Sequence, residues 1–199
     1  MKKKCIFLIT LLTFVSFECI YAQDNALVSG NLGFLKQEKS FNVEFSYESM
    51  AVGQFRTESE YIHKKVTEYN NSEPGKGDKW LVKWNKKKGQ DFEPVFLKHL
   101  NKKIIKAEMI ADTNLTNSKF TIIIKPYYLE EGWDVVVSSE PAIVRLQILV
   151  CETNDKSKQV AEFRITGEYY KGSAIFGGAL AFEEAGKEFG KFLVKSLKK

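Results

Sequence analysis

Cysteine and histidine are scarce in this chain, and their scarcity excludes much of the usual chemistry. Of three cysteines, Cys5 and Cys19 lie in the N-terminal segment and only Cys151 lies beyond it. A lone cysteine makes no internal disulfide, so a packed core must hold the chain together. Cys151 ends an alternating apolar run and reads as a small buried hydrophobe rather than a reactive thiol. The two histidines, His63 and His99, belong to no H-E-x-x-H or C-x-x-C pattern. The sequence therefore offers no metal site, and no cofactor is expected. A nucleophile elbow is also missing: "VSG" and "KGSAIFGG" set serine near glycine without forming G-x-S-x-G.

Long apolar runs are missing too. The one run of note, Cys5 to Phe17, follows Lys2, Lys3 and Lys4 and precedes "CIYAQ". That is the layout of a signal peptide, with Ala22 the last residue before cleavage. The run is shorter than the roughly 20 residues a spanning helix needs. Residues 1–22 are therefore read as a signal peptide and residues 23–199 as one exported domain, in the periplasm or at the cell surface. Cys19 would be a lipidation site only with a small residue before it, and Glu18 stands there. After residue 22 no stretch is long and apolar enough to cross a membrane.

Charge of one sign is not in large excess. The 30 Lys and Arg and 25 Asp and Glu lose three Lys and one Glu with residues 1–22, leaving 27 against 24, a net of +3. So small a surplus names no partner. Repeats and low-complexity linkers are likewise missing, which favours a single domain with one core.

What is present is clean alternation. "FNVEFSY" sets Phe41, Val43, Phe45 and Tyr47 on one face. Equivalent strands are expected over 119–128, 141–151 and 159–168, with a shorter one in "IIKAEMI", 104–110, and a hairpin turn in "ETNDKSKQ". Helical spacing marks 58–70, with Tyr61, Ile62, Val66 and Tyr69, and a last helix over 178–197. In the latter, Phe182, Ala185, Gly186, Phe189 and Leu193 share a stripe, and its glycines imply close approach to the sheet. The expected fold is α+β: one mixed, largely antiparallel sheet, helices on one face, and an amphipathic C-terminal helix.

The stretch "EPGKGDKWLVKWNKKKGQ", 73–90, looks like a phosphate loop but lacks the final Ser or Thr and follows a helix rather than a strand. It reads better as punctuation. Pro74 and Gly75 end one helix, Gly77 turns the chain, and Asp78 caps a second. "KKKGQD" then interrupts that helix before Asp91 and Pro94 open a third. Residues 76–106 hold ten Lys, three acids and no Arg. Arg is the residue suited to reading phosphates and bases, so nucleic acid is not an expected partner, and a wet basic face is. Docking of that face on an anionic surface remains an open alternative.

One constellation could carry function. Three consecutive antiparallel strands would gather "PYYLEEGWD" and "GEYYKG" at one end of the sheet. Tyr127, Tyr128, Trp133, Tyr169 and Tyr170 would then converge, with Glu130, Glu131 and Asp134 around them. Such amphipathic rings suit sugar stacking or protein docking. Alternatively, they pack over the end of the core or beneath the last helix. Adjacent acids of this kind could in principle supply a retaining glycosidase pair, although they also read as solvated loop residues.

The segments "SFNVEFSYESM", "EYIHKKVTEYN" and "GKGDKWLVKW", with the ending "EAGKEFGKFL", resemble a family of uncharacterised exported proteins of Bacteroidota. The hairpin "VRLQILVCETNDKSKQVAEFRI" and the small-residue helix after it resemble a wider group of envelope α/β domains. That group includes the periplasmic part of the curli secretion channel, the lipoprotein activators of penicillin-binding proteins, and the N-terminal domain of the Tol–Pal translocation protein. The resemblance implies an envelope setting and no activity, and it carries over no site residues.

Together these features favour a non-enzymatic envelope protein that binds another protein or an envelope polymer. It would use the sheet-end rings or the polar sheet face around Arg145, Gln147 and Arg164. The alternative is a carbohydrate-binding module, or a weak glycan-processing enzyme, using the same rings and acids. The oligomeric state is not legible.

Overall fold

A computed structural model describes residues 25–135, 138–170 and 177–197; the expected signal peptide lies outside them. The strands are β1 (Ala26–Gly30), β2 (Ser40–Phe45), β3 (Ala51–Val52), β4 (Ile110–Asp112), β5 (Phe120–Glu130), β6 (Trp133–Val135), β7 (Ser138–Glu140), β8 (Ala142–Glu152) and β9 (Asp155–Tyr169). The helices are α1 (Glu58–Ser72), α2 (Lys76–Lys87), α3 (Glu93–Ile104) and α4 (Gly177–Ser196). Seven strands among the described residues form one sheet in the order β1-β9-β8-β5-β2-β4, with β3 against the far part of β5.

The three long strands, β5, β8 and β9, are antiparallel neighbours: a short turn joins β8 to β9, and the β6–β7 stretch lies between β5 and β8. β2 and β3 run parallel to β5, since the chain returns to it only after three helices. The sheet is therefore mixed and largely antiparallel, and the fold is α+β. Alternation decides the faces. Val144, Leu146, Ile148 and Val150 are fully buried, while Arg145 is exposed and Gln147 half-buried. Cys151 is free and buried, as expected, although it directly follows the inward-facing Val150, at a shift of the β8–β9 register.

α4 covers the inner face of β8 and β9 and packs beside α3. Its stripe of Ala181, Phe182, Ala185, Phe189 and Leu193 is buried, each large side chain contributing roughly 1.5–3 kcal/mol. Phe182 stacks on Phe92 at 4.7 Å, and Phe189 meets Phe163 edge-on at 5.2 Å. The helix glycines divide: Gly177 and Gly178, at the start of α4, approach Ala142 and Leu129 of the sheet as expected, and the later two serve a different neighbour. Gly186 and Gly190 face the Phe96 and Leu100 carbonyls of α3, not the sheet. Midway along α4 the close approach to the sheet is made by Gly167, in β9, against Ala181 and Ala185.

Several local readings change. Gly77 does not turn the chain: it is buried inside α2, against the Val66 carbonyl, with its N–H donated to Asn70 Oδ1 at 2.7 Å. The turn residue is Gly75, at φ 80°, and Asp78 lies in the first turn rather than capping it. "KKKGQD" does not break the helix. Residues Lys88–Phe92 form one π-turn that carries the chain from α2 into α3, and the wide turn accommodates Pro94, which has no N–H to give. Residues 104–110 are not a strand. Ile104 completes the buried face of α3 with Phe96 and Leu100, a single 3-10 turn follows, and pairing begins only at Ile110. There the Asn101 side chain grips the Ala111 backbone at both its N–H and its C=O. The β8–β9 turn is tighter than expected, Glu152 pairing with Asp155.

Candidate functional site

Pro126 is the local cause of the site's geometry. It lies buried in β5, a central strand, and cannot donate to the ladder. The register against β8 shifts there: Pro126 opposes Leu146, Tyr128 opposes Arg145, and Tyr127 is the extra residue. This bulge places two consecutive tyrosines on the open side of the sheet, where strict alternation would separate them. Tyr127 lies 5.2 Å from the Arg164 guanidinium, and Tyr128 lies 5.0 Å from that of Arg145.

Beyond the bulge the strand end becomes one wall of a cleft. Gly132, at φ 69°, reverses the chain against the Ala142 and Glu140 backbones. The β6–β7 hairpin follows, pairing Trp133 with Glu140 and joining them by an indole N–H to Glu140 Oε2 bond of 3.0 Å. The second wall comes from the other half of the chain. Gly53, at φ 56°, begins a tight turn after β3, closed by Phe55 N–H to Val52 O, while its own N–H reaches Leu129 O at 2.8 Å. Thr57 then caps α1, its hydroxyl accepting the Glu60 N–H, and the helix directs Tyr61 and Lys65 inward. The result is an open cleft of about 600 Å³ lined by Phe55, Tyr61, Tyr128 and Trp133 with Glu130, Glu131 and Glu140.

The polar groups of this cleft are held in place. Glu131 accepts from Lys87, at the end of α2, and from the Tyr61 hydroxyl at 3.4 Å. Glu130 accepts the Gly132 N–H at 3.1 Å. Its carboxyl is nonetheless pushed above the ordinary carboxylate range by partial burial, with the Glu140 and Glu131 charges adding to the effect. Burial, and then Glu131, likewise raises the Tyr61 hydroxyl, which stays a neutral donor. No group of three or more His, Cys, Asp or Glu arranged to hold a metal occurs among the described residues. No helix among them is long and apolar enough to cross a membrane.

The expected cluster thus divides. Tyr128, Trp133, Glu130 and Glu131 meet in the cleft. Tyr127 stays on the sheet face above Arg164, and Tyr169, opposite Ala142, packs half-buried against the core. Tyr170 is 71% exposed and borders a separate depression with Glu168, Glu184 and Glu188. The Asp134 side chain lies outside the described part. On the sheet face, Gln147 and Arg164 both engage Glu162, and Arg145 engages Tyr128, so these groups are occupied with one another. Phe55, Tyr61, Lys65 and Glu140 were missed from sequence. Tyr61 and Lys65 stand about 70 positions from Glu131, and no spacing signals that meeting.

No family model matches the chain, and no curated protein matches it in sequence. Among solved structures it is similar to PelC from Paraburkholderia phytofirmans, a dodecamer, with a TM-score of 0.42 and 11% identity over 85% of this chain and 95% of that one. A single-residue variant of the same dodecamer gives 0.42 and 10%, over 85% and 96%. A Xanthomonas campestris protein of the DUF330 family gives 0.35 and 12%, over 81% and 87%.

Proposed function

We propose that this chain is a non-enzymatic, exported envelope protein, a binding module that seats a segment of envelope glycan in the cleft at the end of β5. One observation carries the reading: four aromatic rings and three carboxylates line a single open cleft, and most of their polar ends are already held by neighbours. Ring faces stack on the apolar faces of sugars, and fixed carboxylates accept sugar hydroxyls. Groups held before the ligand arrives lose little entropy on binding.

The test is a tryptophan-fluorescence titration with peptidoglycan fragments and a panel of soluble glycans. A saturable signal that disappears in Trp133→Ala and Tyr128→Ala, with circular dichroism unchanged, is the expected result. Saturable binding that both variants retain would place the ligand elsewhere. No response to any glycan would leave a protein partner as the reading to pursue.

A second reading has one observation in its favour. Glu130 holds its proton more tightly than an ordinary carboxyl and sits beside two others, the environment of a general acid. Glycan cleavage would then release new reducing ends, and Glu130→Gln would abolish their release while leaving binding intact.

A further inference from the structure

We infer that the end of α4 away from the cleft is a docking surface for an anionic lipid bilayer. α3 and α4 run side by side in the same direction, Phe96 meeting Gly186 and Leu100 meeting Gly190. Both C-termini therefore emerge together. Between them lies a groove of about 490 Å³ lined by Lys102, Lys103, Lys106, Lys191, Lys195 and Val194. Gly190 leaves room for the Lys103 stem to lie across α4, so the floor is methylene and valine while the ammonium groups form the rim.

Helix C-termini attract lysines, which accounts for Lys102, Lys103 and Lys195 in the last turns. It does not account for the near absence of counter-charges. Lys191 pairs with Glu188, and none of the other four has an ion-pair partner among the described residues. Ile105, next to Lys106 in the chain though not part of the groove's lining, is 65% exposed at the same end of α3. Lysines around a floor of their own stems and Val194 fit a surface that is anionic outside and apolar beneath. Lysines without arginine give diffuse attraction rather than bidentate recognition, which favours a headgroup layer over a phosphopeptide.

α4 has 20 residues and so spans about 30 Å. Its first residue, Gly177, packs at the Glu131 carbonyl beside the cleft. Docking by the lysine end thus holds the cleft about one helix length from the bilayer. This proposal stands independently of what the cleft binds.

The experiment is co-flotation of the protein with vesicles of phosphatidylcholine alone, or of equal parts phosphatidylcholine and phosphatidylglycerol, at low salt. Binding is expected only to the anionic vesicles. The triple variant Lys102→Gln, Lys106→Gln, Lys195→Gln should lose about a hundred-fold in partition, roughly five-fold per lysine. The control triple Lys79→Gln, Lys83→Gln, Lys86→Gln removes the same charge from α2 and should lose far less. Ile105→Glu, at an exposed position, should weaken binding by itself. Equal loss in both triples, equal binding to neutral vesicles, or no binding to anionic ones would overturn the proposal. So would displacement by inorganic phosphate beyond that of chloride at equal ionic strength, since the site would then serve a free anion.

Discussion

The ring of Tyr128 lies 5.0 Å from the Arg145 guanidinium, a contact between directly paired positions of β5 and β8. Arg145 thereby braces a ring that also lines the cleft. A partly exposed cation–π contact of this kind contributes about 0.5–1 kcal/mol. Arg145→Ala should lower folding stability by no more than about 1 kcal/mol. If the cleft seats glycan as proposed, the variant should also bind it several-fold more weakly, because the ring must be ordered anew. Thermal unfolding and the fluorescence titration together check this, and a variant with unchanged affinity would show that Tyr128 needs no brace.

Glu58 joins α1 to the end of α2. One oxygen accepts the indole N–H of the buried Trp84 at 2.7 Å, and the other accepts from Lys88 at 2.8 Å. Glu58→Ala leaves the Trp84 donor unsatisfied, at a cost of about 1–3 kcal/mol. Glu58→Gln keeps an acceptor for Trp84 and should cost less. Urea denaturation ranks the two, and the opposite order would contradict the assignment.

Two glycines in the α2–α4 region should respond oppositely to alanine. At Gly186 a Cβ would lie 2.5 Å from the Phe96 carbonyl oxygen, a backbone atom that cannot swing aside. Overpacking of about 1–3 kcal/mol should exceed the helix-propensity gain of about 1 kcal/mol, so Gly186→Ala destabilises. At Gly89 nothing lies within 4 Å of the added carbon, and Gly89→Ala should be neutral or slightly stabilising. Equal urea midpoints for the two variants would refute the α3–α4 packing argument.

Glu130 makes stability depend on pH. Its folded-state carboxyl is raised above the ordinary range, so the folded protein holds that proton more tightly than the unfolded chain. The contribution is fully present below the ordinary carboxylate pKa and is lost as pH rises through the raised value. Glu130→Gln removes this loss. The variant should gain stability relative to the parent as pH rises from acid to neutral, and the difference should vanish at the acid end. Thermal melts across that range measure it. Parallel profiles would mean that Glu130 titrates normally.

Alternation and helical spacing are local properties, and they were legible in the chain. Arg145 against Val144, and Phe182 with Ala185 and Phe189, reveal their faces without any knowledge of partners, because burial on one side is what selects such patterns. Cys151 is buried out of phase with that alternation, next to a register shift between β8 and β9. Glycines were harder to read. Gly77, Gly186 and Gly190 are equally small on paper, and only the approach of another backbone tells a helix contact from a turn or a sheet contact. The candidate site was half legible. "PYYLEEGWD" supplies Tyr128, Glu130, Glu131 and Trp133 from one continuous segment, but the opposite wall comes from Phe55, Tyr61 and Lys65. Tyr127 follows the alternation of Ile124 and Pro126 onto the open face above Arg164, and the bulge at Pro126 is what brings Tyr128 to that side as well. The sequence by itself determined which residues face inward along the regular stretches of β8, β9 and α4. Tertiary structure alone decided which elements meet, because pairing β3 parallel to β5 and joining Lys87 to Glu131 depend on contacts across dozens of residues, and no local periodicity records them.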